Sequence, residues 1–120
     1  MEAFYKIDNI RRLENNETEV SVWINKDYPV YQGHFPGHPI TPGVMLVQLC
    51  IDVIDNQLGM DYELASAKNV KFLQPHYPQE SPNLCIRFGD SQGNMNVKIL
   101  FGDKVIAKMT LELRPVSEIL

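Results

Sequence analysis

Thr41-Pro42-Gly43-Val44-Met45-Leu46-Val47-Gln48-Leu49-Cys50-Ile51-Asp52-Val53-Ile54-Asp55-Asn56-Gln57-Leu58-Gly59 is the stretch that decides the fold. Its apolar residues from Val44 to Ile54 cover most of the circumference of a helix, and a helix apolar nearly all round is expected to be buried in a core. Pro42 suits the first helical position, where its missing N–H costs nothing; Thr41 reads as the N-cap and Gly59 as the stop. The polar residues are not scattered. Gln48, Asp52 and Asp55 fall at i, i+4 and i+7, a single stripe along one side of the helix.

Working outward, the residues before this helix form a Gly/Pro loop from Tyr28 to Thr41 with no apolar periodicity, ordered by backbone restriction. Before that loop, Ile10 to Leu13 reads as a short strand, and Val20, Val22 and Ile24 alternate with Ser21, Trp23 and Asn25 as a strand with two distinct faces. After Gly59, strands are predicted over 64–72, 84–88, 95–101 and 105–113. Gln92-Gly93-Asn94 and Gly102-Asp103 serve as hairpin turns. The fold class is therefore α+β, an antiparallel sheet around one long central helix, in a single domain over residues 1–120. A small sheet around one helix exposes edges and part of a core, which dimerisation would cover.

The bulk numbers set limits. A chain of 120 residues with 44% hydrophobic and 22% charged content suits one soluble domain. Its net charge of −4 argues against nucleic-acid binding by bulk electrostatics. Cys50 and Cys85 have no CxxC spacing and read as reduced residues of a cytoplasmic protein. The N-terminal Met-Glu-Ala-Phe-Tyr-Lys has no signal-peptide pattern, and the longest apolar window is too short to span a bilayer. His34 and His38 are four apart, but the intervening Phe-Pro-Gly prevents a helix, so no metal site is expected. No cofactor motif is visible, and His76 reads as an exposed loop residue.

The loop Gly33-His34-Phe35-Pro36-Gly37-His38-Pro39-Ile40-Thr41-Pro42-Gly43-Val44 closely resembles the signature of the 3-hydroxyacyl-acyl carrier protein dehydratases of bacterial fatty-acid synthesis. Gln32 before it and Lys71-Phe72-Leu73-Gln74-Pro75 after the helix resemble further family positions. The resemblance implies a hot-dog fold, dimers or higher oligomers with sites shared across the interface, and removal of water from a 3-hydroxyacyl thioester. It places the family's histidine on His34 and its backbone oxyanion donor on Gly43. The family's catalytic acid falls on Gln48, which is a departure.

Each of these residues has a chemical role open to it. A neutral imidazole at His34 can take the C2 proton, and the Gly43 N–H at a helix start can stabilise charge on the thioester oxygen. Gln48 can hydrogen-bond a 3-hydroxyl but cannot protonate it; the alternative is an amide satisfied in the core. Asp52, one turn further along the helix, is a second candidate acid. Phe35, Met45, Phe72 and Leu73 are candidate acyl-lining residues, and Lys68 and Lys71 can receive an acidic carrier. The substrate is then an acyl thioester on acyl carrier protein or coenzyme A. Three readings compete: a dehydratase, complete alone or as a heterodimer with another hot-dog subunit; an acyl-thioesterase; and a non-catalytic acyl-binding module.

Overall fold

The computed structural model describes residues 3–116. In chain order it has strands β1 (Tyr5–Arg12) and β2 (Thr18–Ile24), the one-turn helix α1 (Val30–Gly33) and the long helix α2 (Gly43–Leu58). Strands β3 (Tyr62–Phe72), β4 (Asn83–Ser91), β5 (Asn94–Phe101) and β6 (Lys104–Pro115) follow. One antiparallel six-stranded sheet results, in the order β1-β2-β4-β5-β6-β3. The expected α+β architecture is the one adopted.

Alternation explains the sheet. Thr18, Val20, Val22 and Ile24 are buried while Glu19, Ser21 and Trp23 between them are not. Val20, Ile86, Ile99 and Ala107 stand directly across from one another on four neighbouring strands and are wholly buried. This face meets Leu46, Leu49, Cys50, Val53 and Ile54 of α2 in one core. Burying an aliphatic side chain contributes about 1.5–3 kcal/mol, so sheet and helix face hold each other in place. On the opposite face Glu19 accepts from Arg11 and Arg87, each at 3.1 Å. Partial burial pushes its carboxyl up, but the two guanidinium partners outweigh that and hold it below the usual range.

The turns follow local chemistry. Gln92 and Gly93 have φ of 53° and 83°, the left-handed pair that a two-residue hairpin needs. Gly59 ends α2 with φ 67°, and its N–H donates to the Asp55 carbonyl. Gly59→Ala should therefore destabilise the protein by roughly 1–2 kcal/mol, because a Cβ is strained in that region. Thermal unfolding of the variant checks this.

Several expectations are corrected. Strand β1 begins at Tyr5 and not at Ile10, since it pairs with β2 from Tyr5 opposite Ile24 to Arg12 opposite Thr18, with a register shift at Asp8. The Gly/Pro loop contains α1, which buries Tyr31. Thr41 is not the N-cap: Pro42 takes that position with an extended ψ of 142°, and no side chain caps the helix. Helix α2 is not covered all round, for Val44 is 77% exposed. One sheet shields only one side of a helix. The uncovered side lies next to β3, one of the two edge strands of the sheet, whose Leu64 and Phe72 are exposed. Among the described residues no helix is long and apolar enough to cross a membrane.

Candidate active site

His34 follows directly on α1, and Ile40 holds it from two directions. The Ile40 N–H donates to the His34 carbonyl, and the His34 Nδ1 lies 2.9 Å from the Ile40 carbonyl oxygen. A carbonyl only accepts, so Nδ1 carries the proton of the neutral ring and Nε2 keeps the lone pair. The ring stacks on Phe35 with centroids 4.4 Å apart. His34 is half-buried and Phe35 exposed, so the basic nitrogen belongs to a fixed ring at an accessible place.

The other end of this loop is the start of α2. Pro42 offers no N–H, which makes the Gly43 N–H the first of the donors a helix leaves unpaired at its N-terminus. Phe72 lies against it: a Cβ built on Gly43 would meet two carbons of the Phe72 ring at 2.9 Å. Glycine is thus needed for the approach of Phe72, and close packing coexists with a free N–H. Gly43→Ala should move the half-exposed Phe72 ring while keeping the fold, since restricting a helical glycine stabilises by about 0.4–1 kcal/mol where no strain arises. The check is a slower reaction at unchanged or slightly raised Tm. A marked fall in Tm would show that the ring cannot yield.

The polar stripe on α2 divides into separate roles. Gln48 is exposed, which removes the expectation of an amide buried in the core. Its Nε2 donates to Asp52 Oδ1 at 2.8 Å, leaving the amide oxygen as an acceptor. Asp55 Oδ1 accepts the Tyr62 N–H at 3.0 Å and ties the end of α2 to β3. Burial pushes the Asp55 carboxyl up, the Tyr62 bond opposes this, and Asp52 and Asp61 add to the rise. Asp52 and Asp55 line a polar hollow with Tyr5, Asn56 and Asp61.

Gln48 instead lines an apolar groove of about 610 Å³ between α2 and β3. Gly43, Val44, Val47 and Ile51 form one wall, and Leu64, Val70 and Phe72 the other. Of the residues singled out in the sequence, the structure brings Gly43, Gln48 and Phe72 together here. His34, Phe35, Met45, Asp52 and Leu73 are not among the groove's lining residues. Val44, Val47, Leu64 and Val70 went unnoticed as lining; the signal for them was a helix with more apolar surface than one sheet can cover. Cys50 plays no nucleophilic part, because burial pushes its thiol up to about 12.

His76 is the largest departure. Expected to be exposed, it is 3% exposed, with Nδ1 2.6 Å from Thr41 Oγ1 and Nε2 2.6 Å from the Ser81 carbonyl oxygen. Tyr31 Oη completes the chain at 2.7 Å from Thr41 Oγ1. His38, by contrast, lies exposed with its ring 4.6 Å from that of Tyr77.

Known proteins resemble this chain in sequence and in fold. The family model for ApeI-like proteins, described as ApeI dehydratase, matches residues 10–110. The 3-hydroxyacyl-[acyl-carrier-protein] dehydratase FabZ of Roseiflexus castenholzii is 35% identical over 95 residues, covering 71% of this chain and 65% of that protein, just under two thirds of its length. The enzyme of the same name from Thermus thermophilus is 26% identical over 119 residues, covering 90% of this chain and 84% of that protein. In fold, the chain is similar to a chain of the dehydratase heterocomplex ApeI:P from Xenorhabdus doucetiae, with a TM-score of 0.74 at 17% identity, over 90% of this chain and 96% of that one. An uncharacterised Erwinia carotovora protein is similar at a TM-score of 0.65 and 21% identity, over 93% of this chain and 94% of that one. The hot-dog fold implied by the loop is the fold these structures share with it.

Proposed function

The chain belongs to the ApeI-like dehydratase family, and from that premise we propose that it removes water from a 3-hydroxyacyl thioester at a site shared between two hot-dog subunits. The observation that carries the reading is the His34 ring, whose Nδ1 is engaged by the Ile40 carbonyl so that Nε2 is the free base. Nε2 takes the C2 proton. The electron pair of that C–H bond forms the C2–C3 double bond as the C3–O bond breaks. Negative charge on the thioester oxygen meets the Gly43 N–H at the positive end of α2. The departing hydroxyl takes up either the proton now on His34 Nε2 or one from an acid of a second subunit, and leaves as water.

Subunit sharing is supported by what one protomer lacks. The acyl-sized groove carries Gln48 but not His34 along its walls, and it opens beside the free edge of β3. A second subunit on that edge would close the groove and bring a second His34 loop to it. The second subunit is a copy of this chain or a different hot-dog protein, and the heterocomplex named for the ApeI:P structure supports the latter. A different subunit would also supply the acid that Gln48 is not.

The test is conversion of a 3-hydroxyacyl thioester, on carrier protein and on coenzyme A, by the purified chain alone and with a neighbouring hot-dog subunit. Enoyl product supports the reading. Release of free thiol without enoyl product would replace it with a thioesterase, and neither product from any combination would leave only an acyl-binding role.

A further inference from the structure

The buried chain of hydroxyls that ends on His76 has one consistent direction. The Ser81 carbonyl only accepts, so Nε2 of His76 carries the ring proton. Nδ1 of a neutral ring then accepts, and the Thr41 hydroxyl must donate to it. The Thr41 oxygen in turn accepts from the Tyr31 hydroxyl. Tyr31, Thr41 and His76 are each at most 5% exposed, so water does not substitute for a lost partner. A backbone bond runs parallel to the side chains, the Thr41 N–H donating to the His76 carbonyl at 3.0 Å.

Thr41 is the residue after Ile40, which holds both the ring and the carbonyl of His34, and it lies two before Gly43. From this we infer that His76 is a positioning residue of the dehydratase site: as a neutral imidazole it fixes Thr41, and through Thr41 it fixes the Ile40 clamp on His34 and the Gly43 N–H. The inference rests on the catalytic reading of His34 and Gly43 given above. A displacement of about 1 Å in such a constellation can cost up to about 100-fold in rate, so the effect is on turnover more than on binding.

Protonation opposes the arrangement. An imidazolium would donate from both nitrogens, Thr41 would have to turn its proton towards Tyr31, and the Tyr31 proton would need a new acceptor. The groups facing His76 are the Thr41 hydroxyl with the Tyr31 phenol behind it and the Ser81 carbonyl. Tyr77, next in sequence, carries His38 against its ring. Burial pushes His76 below the usual histidine range, against the pull of the Ser81 carbonyl. A histidine lowered in the folded state gives stability that is present above the ordinary value near pH 6.5 and lost as pH falls below it.

The experiment compares Thr41→Val, Thr41→Ser and His76→Leu with wild type by steady-state kinetics, thermal unfolding against pH, and nitrogen NMR of the histidine rings. Thr41→Val should lower kcat by about 10–100-fold with KM within about twofold, and Thr41→Ser, which keeps the hydroxyl, should restore most of it. His76→Leu should flatten the fall in Tm below about pH 6.5. The wild-type spectrum should show His76 as the Nε2–H tautomer, and Thr41→Val should perturb the His34 Nδ1–H signal. Folded Thr41→Val with wild-type kcat and an unperturbed His34 signal would overturn the inference. A perturbed His34 signal in a protein without dehydratase activity would uphold the positioning and overturn the catalytic reading instead. If His76→Leu fails to fold, Thr41→Val and the spectrum decide alone.

Discussion

His34→Ala should slow formation of the enoyl thioester by about 10²–10⁴-fold, the range a positioned general base supplies. The loss falls on kcat, because the acyl groove is built by α2 and β3 and does not include His34. Stability should change little. The substitution removes one hydrogen bond to Ile40, worth about 0.5–1.5 kcal/mol net, and a stacking contact with exposed Phe35. His34→Asn sharpens the test, since its amide N–H can still donate to the Ile40 carbonyl but it has no basic nitrogen. A catalytic His34 predicts that both variants are equally slow and that the Asn variant is the more stable. If His34 only shapes the loop, the Asn variant should keep its activity. That outcome would remove the base from the mechanism and leave the loop as a purely structural element.

The central helix and the strands beneath it were legible because their signals are local. The periodicity of Val44 to Ile54, the stop at Gly59 and the alternation in Val20-Val22-Ile24 each state an element within a few residues. The same is true of the His34 loop, whose Gly/Pro spacing fixes where the ring and the helix start must lie. Elements set by distant contacts were not legible. The first half of β1, Tyr5-Lys6-Ile7-Asp8, alternates over only four residues at a sheet edge, too short a run to stand out, and its pairing with β2 is what extends the strand back to Tyr5. Thr41 had two uses for its hydroxyl. Capping the adjacent helix is the local one, but His76, 35 residues away, takes it. Nothing within Pro75-His76-Tyr77-Pro78 distinguishes a buried histidine from an exposed one, because its partner Thr41 is distant in sequence and Ser81 lies beyond the stretch. The groove on α2 was half legible: the excess of apolar residues was plain, but which side stays uncovered depends on the sheet order.

Gln48→Glu should raise the turnover of the homomeric protein by about 10²–10⁴-fold, the contribution of a general acid at the position where an amide now stands. The neighbourhood favours this gain only slightly. Gln48 now donates to Asp52 at 2.8 Å, so a new carboxyl would be left beside a carboxylate with no N–H between them. Two carboxyl groups this close repel when both are ionised, although water screens an exposed pair. A repulsion of a few tenths of a kcal/mol moves a carboxyl by well under one pH unit, so the gain rests on placing a group able to carry a proton where the 3-hydroxyl leaves. The cost in stability is small, about 0.2–0.5 kcal/mol for like charges one helical turn apart. It should appear as pH rises above the usual carboxylate range and vanish as pH falls and the pair takes up its proton. Adding Asp52→Asn removes the repulsion and supplies an amide donor, which favours the ionised carboxylate and should cancel a small part of the gain. Should Gln48→Glu leave the homomer slow while a mixture with another hot-dog subunit is fast, the acid belongs to that subunit and Gln48 marks the half of the site this chain does not provide.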